Sequence, residues 1–527
     1  MKVVLAEKVS PATLAVFESD PGWKILTHDQ VKNLPEAVSD ADALVVRSAI
    51  QVDDALMAAA PKLRVIGRAG VGVDNIDADS ATRRGIVVMN TPGANAIAVA
   101  ELAMGLMIAL ARQLPRADST MHAGKWEKKS LQGSELRGKK LGILGLGRVG
   151  LEVARRARNF GMELFGHDPF VSASIARENT IRLVSAEELF SLADYITLHV
   201  GLTPQTTGII NAATLATMKK GVRIVNCARG ELVVEADLAA ALRSGHVAGA
   251  ALDVFHEEPP KNSLFAALDN VILTPHIAGS TAEAQEAVGV QIALQVREYL
   301  KSGIAQNAVN LPSLTYEEYQ ELAPWMTLAE RLGTFLAHVP RGSIESIQIT
   351  YHGRLAETKT ELIRNCAIAG VLGHLEQVNR INAASVAAER GIRLHEEKKE
   401  SPVSGAGSVL QLSLHTSETS MASRGAVLNG DSPRLLHLDG IDIEAPLQGT
   451  LITIRNKDVP GVIGRIGTIL GEHQVNIANF ALGRSNGRDA TPATALAVVQ
   501  VDGVVTDAVL QELRGVPAIT GVRVVTL

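Results

Sequence analysis

Along the first part of the chain, short unbroken apolar runs alternate with stretches whose apolar residues recur every three or four positions. Val3-Val4-Leu5-Ala6 is followed by Ala12 to Phe17, Ala43-Leu44-Val45-Val46 by Asp53 to Ala60, and Val65-Ile66-Gly67 comes next. Runs of the first kind suit strands covered on both faces, and the second spacing suits helices. The alternation predicts βαβ units, a parallel sheet with helices on both sides. Ligands of such sheets sit beyond the carboxyl ends of the strands.

The long apolar helix Ala94 to Arg112 leads to a second series of the same kind. Leu141 to Leu144 reads as a buried strand, Val149, Val153, Ala154, Ala157 and Phe160 recur at helical intervals, and Met162 to Gly166 forms the next run. The pattern continues through Glu187 to Phe190, Tyr195 to His199, Arg223 to Asn226, Val247 to Asp253 and Val271 to Thr274. These segments belong to one doubly wound domain ending near Gly279, and Thr281 to Leu300 is an amphipathic helix leading back to the first domain. Past Pro312 the character changes to a mixture of helical stretches (Leu328 to Ala337, Leu362 to Gly373) and alternating ones (Ile344 to Tyr351, Val409 to Leu414). Ala445 to Thr450 reads as a linker. The last six segments, from Leu451 to Leu527, follow a β-α-β-β-α-β order, a ferredoxin-like pattern.

Candidate chemistry clusters at the predicted strand ends. Gly145, Gly147 and Gly150, with Arg148 and Val149 between them, form a G-x-G-x-x-G turn from strand to helix, and the following strand ends near Asp168. Glycines there allow a tight turn and close approach of a pyrophosphate to the helix start. A carboxylate about 20 residues on suits a ribose diol and repels a 2′-phosphate, which favours NAD over NADP. Arg47-Ser48 and Arg68-Ala69-Gly70 leave two strands of the first sheet, and paired arginines favour an anion site. Three loops of the second domain carry Arg229, Glu257-Glu258 and His276. Hydride transfer from a secondary alcohol needs a base and a cation for the neighbouring carboxylate. His276 fits the base and Arg229 the cation, and either Glu257 or Glu258 fits the partner that fixes the imidazole tautomer.

Composition narrows the class further. The 527 residues are 46% hydrophobic and 20% charged, enough for roughly three or four globular domains. Lys plus Arg number 51 against 56 Asp plus Glu, a net charge of −5, so nothing points to nucleic acid. Two cysteines, Cys227 and Cys366, fit a reducing compartment, and with no signal-like start the expected location is the cytoplasm. The run Ala96 to Ala111 carries Glu101 and falls short of the roughly 20 residues of a membrane span. No metal is expected, because His199, His256 and His276 lack ligand spacing.

These motifs, in this order, resemble the D-isomer-specific 2-hydroxyacid dehydrogenases, and among them the long-form D-3-phosphoglycerate dehydrogenases. The resemblance is carried by Gly67 to Asn75, Leu141 to Gly150, Asn226 to Gly230, Ala250 to Asp253 with Glu258-Pro259, and Thr274-Pro275-His276. It selects Glu258 as the partner of His276 and implies the oxidation of 3-phosphoglycerate by NAD, the first step towards serine. It implies a substrate domain of residues 1–97 and 283–312, an NAD domain of 98–282, an α+β intervening domain of 316–445 and an ACT domain of 450–527. NAD would meet Gly145, Gly147, Arg148, Val149, Gly150, Asp168, Val200, Cys227, Ala228, Arg229, Asp253, His276, Ala278 and Gly279. Val200 would do so through its backbone, since the family commonly has threonine and proline after the histidine. Substrate would meet Arg47, Ser48, Arg68, Gly70 and Asn95, with Lys128 or Lys129 reaching its phosphate across a homodimer or homotetramer. Tyr351-His352-Gly353 resembles the intervening domain, and Asp458 to Gly464 with Asn476-Ile477-Ala478 the ACT domain. The latter implies L-serine as effector at Asn456, Asp458 and Asn476, although Arg455 and Asn456 stand where related domains often have His and Tyr. Two other readings use the same residues: a reductase of glyoxylate, hydroxypyruvate or 2-oxoglutarate, and an NAD-sensing regulator without turnover.

Overall fold

The structure, a computed structural model, describes the chain except residues 313, 315, 339–341, 374–377, 404–406 and 486–493. Five parallel strands form the first sheet, in the spatial order Lys24–Leu26, Lys2–Leu5, Ala43–Val46, Val65–Arg68, Val87–Met89. Val3, Leu44, Val46, Ile66 and Val88 are fully buried, as expected of strands covered on both faces. The helix Ala282–Ser302 returns from the second domain and packs Val288, Ile292 and Val296 into the core of Val3, Leu5 and Val65. Gly67 permits that approach, since a Cβ there would lie 2.7 Å from Val296 Cγ2.

The second sheet has seven parallel strands in the order Val271–Leu273, Val247–Leu252, Val222–Asn226, Tyr195–Leu198, Lys140–Leu144, Glu163–His167, Arg182–Leu183. The winding reverses between Lys140–Leu144 and Tyr195–Leu198. That switch point opens a crevice at the carboxyl ends of the strands, and the glycine turn lies in it. Both domains are the doubly wound α/β units expected from the pattern.

Beyond Pro312 the helices Tyr316–Ala337 and Glu361–Leu372 pack on a six-stranded sheet. Its order is Arg393–Lys399, Ile344–His352, Val409–Thr416, Ser420–Leu428, Ser432–Leu438, Ile441–Pro446, with only the first pair parallel. The expected linker Ala445 to Thr450 shrinks to Leu447, Gln448 and Gly449, because Ala445 and Pro446 complete an edge strand and Thr450 begins the next one. An edge strand tolerates a proline, whose missing N–H need not face a partner.

The last sheet is antiparallel, ordered Asn476–Arg484, Thr494–Asp502, Thr450–Lys457, Ile519–Thr526, the ferredoxin-like arrangement. One face packs under the helices Val462–Glu472 and Asp507–Arg514. The other face contributes Leu451, Leu496, Val498 and Val525 to the same core as Leu435, Ile441, Ile443 and Leu447. The third and fourth sheets therefore share one apolar seam.

Candidate active site

The loop after Val271–Leu273 places His276 opposite Glu258, with 2.6 Å between imidazole Nδ1 and carboxylate Oε2. Glu258 Oε1 also accepts the Phe255 amide at 3.0 Å, so the carboxylate is oriented from two sides. An Nδ1–H donated to the carboxylate leaves Nε2 as the proton acceptor. His276 has a φ of 50°, an uncommon conformation for a residue with a side chain. Asp253 holds it there. The Asp253 carbonyl accepts the His276 amide at 2.8 Å, and its carboxylate accepts the amides of Ile277 at 2.9 Å and Ala278 at 2.8 Å and the Thr274 hydroxyl at 2.5 Å. Asp253 is fully buried with both oxygens engaged, so it shapes the loop and presents no carboxylate to a ligand.

Arg229 leaves the neighbouring strand in a turn organised by the buried Asn226. That side chain donates to the Arg229 carbonyl at 2.8 Å and accepts the Ala228 amide at 3.0 Å. Gly230 is required because a Cβ would fall 2.0 Å from the Phe255 carbonyl carbon. The guanidinium donates to the Ala228 carbonyl at 2.7 Å and extends to Asp74 on the first domain at 3.2 Å.

Between the first two sheets lies a cleft of about 460 Å³ lined by Arg47, Ser48, Arg68, Gly70 and Asn95 on one side and Glu258 and His276 on the other. Arg47 is fixed by its amide on Glu7 and its guanidinium on Gln285, whose own amide nitrogen donates to the Gly279 carbonyl at 2.7 Å. Arg68 Nε and Asn95 Oδ1 are buried without a hydrogen-bond partner among the described residues. Such orphaned groups facing a cleft suit a polar ligand. Burial, and after it the neighbouring Arg229, lower the pKa of Arg68, so cations crowd this cleft. Lys128 is exposed outside these walls, as is Lys129, so within one chain neither reaches the cleft.

The glycine turn fits a dinucleotide. Gly145 has a φ of 89°, and a Cβ would lie 2.5 Å from the His199 carbonyl oxygen, next to the Val200 backbone. Gly150 packs so closely that a Cβ would stand 2.0 Å from the Gly145 oxygen, whereas Gly147 faces open space at the start of the helix Arg148–Asn159. Asp168 accepts the Leu146 and Phe170 amides, each at 2.8 Å, and so presents its carboxylate beside the turn. The Arg148 guanidinium turns away to the Pro92 carbonyl of the first domain, which leaves its backbone and that of Val149 at the helix start. Cys227 is buried and burial pushes its thiol pKa up, so its side chain is inert; the half-buried Ala228 and Gly279 and the buried Ala278 border the same strand ends.

His199 lies half-buried beneath this turn, and desolvation lowers its pKa from 6.5 to about 4. Between those values the unfolded chain binds the extra proton, so stability falls as pH falls. The gap amounts to about 3 kcal/mol at the acid end. Thermal unfolding from pH 7 to pH 4.5 should lower the melting temperature more steeply in wild type than in His199→Gln. Equal slopes would remove His199 as the cause.

The three regulatory candidates separate. Asn456 is buried, with its Oδ1 unpaired among the described residues; Asp458 pairs with Arg484 at 3.2 Å; Asn476 donates to Asp502 at 2.7 Å. Asn476 and Arg484 are the two ends of one strand, roughly 25 Å apart at ordinary strand rise. One small ligand on a single chain therefore cannot touch both Asp458 and Asn476. Sequence reasoning gave no role to Glu7, Asp74, Asn226 or Gln285. Asp74 and Asn226 stand inside recognised motifs, but their partners are set by the fold.

Residues 104–278 match the NAD binding domain of the D-isomer specific 2-hydroxyacid dehydrogenases, 321–439 the D-3-phosphoglycerate dehydrogenase intervening domain, and 450–518 the ACT domain. The chain is 39% identical over 530 residues to a D-3-phosphoglycerate dehydrogenase of Methanocaldococcus jannaschii, covering 100% of both chains. It is 40% identical to that of Archaeoglobus fulgidus, again covering 100% of both. Among solved structures it resembles the TT0316 protein of Thermus thermophilus (TM-score 0.54, 32% identity, 59% of this chain and 100% of that one). It also resembles D-lactate dehydrogenase from Aquifex aeolicus complexed with NAD and lactic acid (TM-score 0.52, 26% identity, 59% of this chain and 100% of that one).

Proposed function

The chain belongs to the D-3-phosphoglycerate dehydrogenase family and is an NAD-dependent oxidoreductase; on that premise we propose that its interdomain cleft oxidises D-3-phosphoglycerate to 3-phosphohydroxypyruvate with His276 as general base. This is the first step of the phosphorylated route to L-serine. The observation that carries the reading is the Glu258-oriented imidazole facing a cleft walled by Arg47 and Arg68.

Arg229 receives the substrate carboxylate and polarises the C2 oxygen. His276 Nε2 takes the proton from the C2 hydroxyl, and the resulting imidazolium is stabilised by Glu258. Arg68, Gly70 and Asn95 hold the body of the acid, and Arg47 with Ser48 reads the phosphate, a role for which a fixed guanidinium is suited. NAD, when bound, accepts the hydride from C2. The backbone from Gly145 to Gly150, with Asp168, Val200 and Ala278, would hold it, and Asp253 acts behind the His276 loop. The substrate unit is assigned to residues 1–97 with 283–312 and the NAD unit to 98–282.

Turnover of phosphoglycerate is read as NADH absorbance, and Arg47→Ala is the diagnostic variant. It should lower kcat/KM for phosphoglycerate by about a hundredfold, as loss of a charge-assisted contact implies, and that for hydroxypyruvate reduction by only a few-fold. Equal losses on both would favour an enzyme of unphosphorylated 2-oxo acids. Absence of turnover on every 2-hydroxy acid would favour the NAD-sensing regulator.

L-serine is the proposed effector of the ACT domain, at a site completed by a second chain so that Asp458 of one subunit meets Asn476 of the other. Exposed Ile97, Leu114, Met121 and Trp126 support a homodimer formed around the NAD domain, in which Lys128 could approach the partner's cleft. Among the described residues no single helix is long and apolar enough to cross a membrane; both cysteines are unpaired, which supports a cytoplasmic enzyme.

A further inference from the structure

The loop Gly70 to Asn75 follows the strand Val65–Arg68 of the first domain and begins at the cleft. Its ends are tied down: the Thr91 amide donates to the Gly70 carbonyl at 2.9 Å, and the Asn75 side chain donates to the carbonyls of Arg47 at 2.9 Å and Ile50 at 2.6 Å. Asn75 is buried, so the loop is a fixed platform. From it Asp74 crosses to the second domain and meets the Arg229 guanidinium at 3.2 Å. Gly72 makes room for the meeting. A Cβ there would fall 2.1 Å from Arg229 Nη2 and 2.7 Å from Asp74 Oδ2.

The charges around this contact explain why a carboxylate stands there. Arg68 lines the cleft from the first domain, and Arg229 on the second, held against Asp74 and Gly72, stands near enough to act on it. The neighbouring Arg229 lowers the pKa of Arg68, after burial the largest cause, while Asp74 acts in the opposite sense. Two cations on opposite sides of the domain boundary would otherwise repel and push the domains apart. Arg229 is itself pinned at a second point by the Ala228 carbonyl, so Asp74 completes a two-point hold. Asp74 is 69% exposed and its pair is a single contact, so as a surface ion pair it adds little to stability. Its effect is on aim.

We propose that Asp74 is a positioning residue for the reaction assigned above: it reaches across the domain boundary and fixes Arg229 in the orientation that receives the substrate carboxylate, and it offsets the repulsion between Arg229 and Arg68. The hold exists only when the two domains are close, so it couples closure of the cleft to readiness of the arginine. The inference rests on the assigned reaction and deepens it.

The test is steady-state kinetics of the full chain with phosphoglycerate and NAD for Asp74→Asn, Asp74→Glu and Gly72→Ala, together with NAD affinity from quenching of protein fluorescence. Misplacing a binding group by about 1 Å costs up to a hundredfold. Asp74→Asn should therefore raise KM for phosphoglycerate and lower kcat/KM by about ten- to a hundredfold, leaving the Kd for NAD within about twofold. Asp74→Glu should recover most of the loss by keeping the charge, and Gly72→Ala should reproduce it by wedging the pair apart. The inference is overturned if Asp74→Asn stays within about twofold of wild type, if glutamate rescues no better than asparagine, or if NAD affinity falls in step with kcat/KM. Wild-type inactivity on phosphoglycerate would instead sink the assigned substrate; the same variants would then be compared on whichever 2-hydroxy acid is turned over.

Discussion

His276→Ala should lower kcat for phosphoglycerate oxidation by about a thousandfold, within the range a positioned general base supplies. The imidazole is the group in the cleft with a carboxylate 2.6 Å behind it, and among the described residues lining the cleft no second imidazole is placed to take over its proton. NAD affinity should change little, because the turn proposed to hold the dinucleotide is built on a different strand. Stopped-flow NADH formation in a single turnover separates chemistry from product release. A loss below tenfold in that phase would remove His276 as the base.

Arg229→Ala should reduce kcat/KM by about a thousandfold or more. On the proposed mechanism it removes both the bidentate partner of the substrate carboxylate and a donor to the C2 oxygen, and loss of one preorganised donor alone costs about a hundred- to a thousandfold. Arg229→Lys should restore less than about a tenth of the activity, because an ammonium cannot span two carboxylate oxygens from a fixed plane. The Asn226 turn survives either change, since it binds only the backbone of residue 229. Folding should therefore be intact, which circular dichroism checks. Recovery of wild-type kcat/KM by lysine would mean that charge alone matters there and would reject the bidentate assignment.

Much of this site is legible in the sequence because it depends on contacts over a few residues. Gly145, Gly147 and Gly150 answer to one turn, and the loops bearing Arg229, Glu258 and His276 each follow an apolar strand whose direction fixes where they emerge. Strands buried on both faces also announce themselves, as Val45-Val46 and Ile143-Leu144 do. The strands Ser420–Leu428, Ser432–Leu438 and Ile441–Pro446 do not, because they lie in a sheet with a wet side and carry Arg424, Arg434 and Asp442 among their apolar residues. Nor do the contacts of Asp74 and Gln285: the partner Arg229 meets Asp74 only after two domains have docked, and Arg47 lies 238 residues from Gln285 within one domain. The role of Asp253 is hidden for a related reason. Its position beside a catalytic loop is evident, but its burial and three amide partners decide that it supports that loop instead of touching a ligand.

The apolar seam between the third and fourth sheets bears on how such enzymes can be recombined. Leu451, Leu496, Val498 and Val525 are half of a surface whose other half is Leu435, Ile441, Ile443 and Leu447. A chimera that exchanges only the last eighty or so residues would join two halves selected in different proteins, and mismatched volumes in a packed interior cost stability. The two C-terminal domains are thus a single unit of exchange. A sensor transplanted to a new dehydrogenase would need to bring the preceding domain with it.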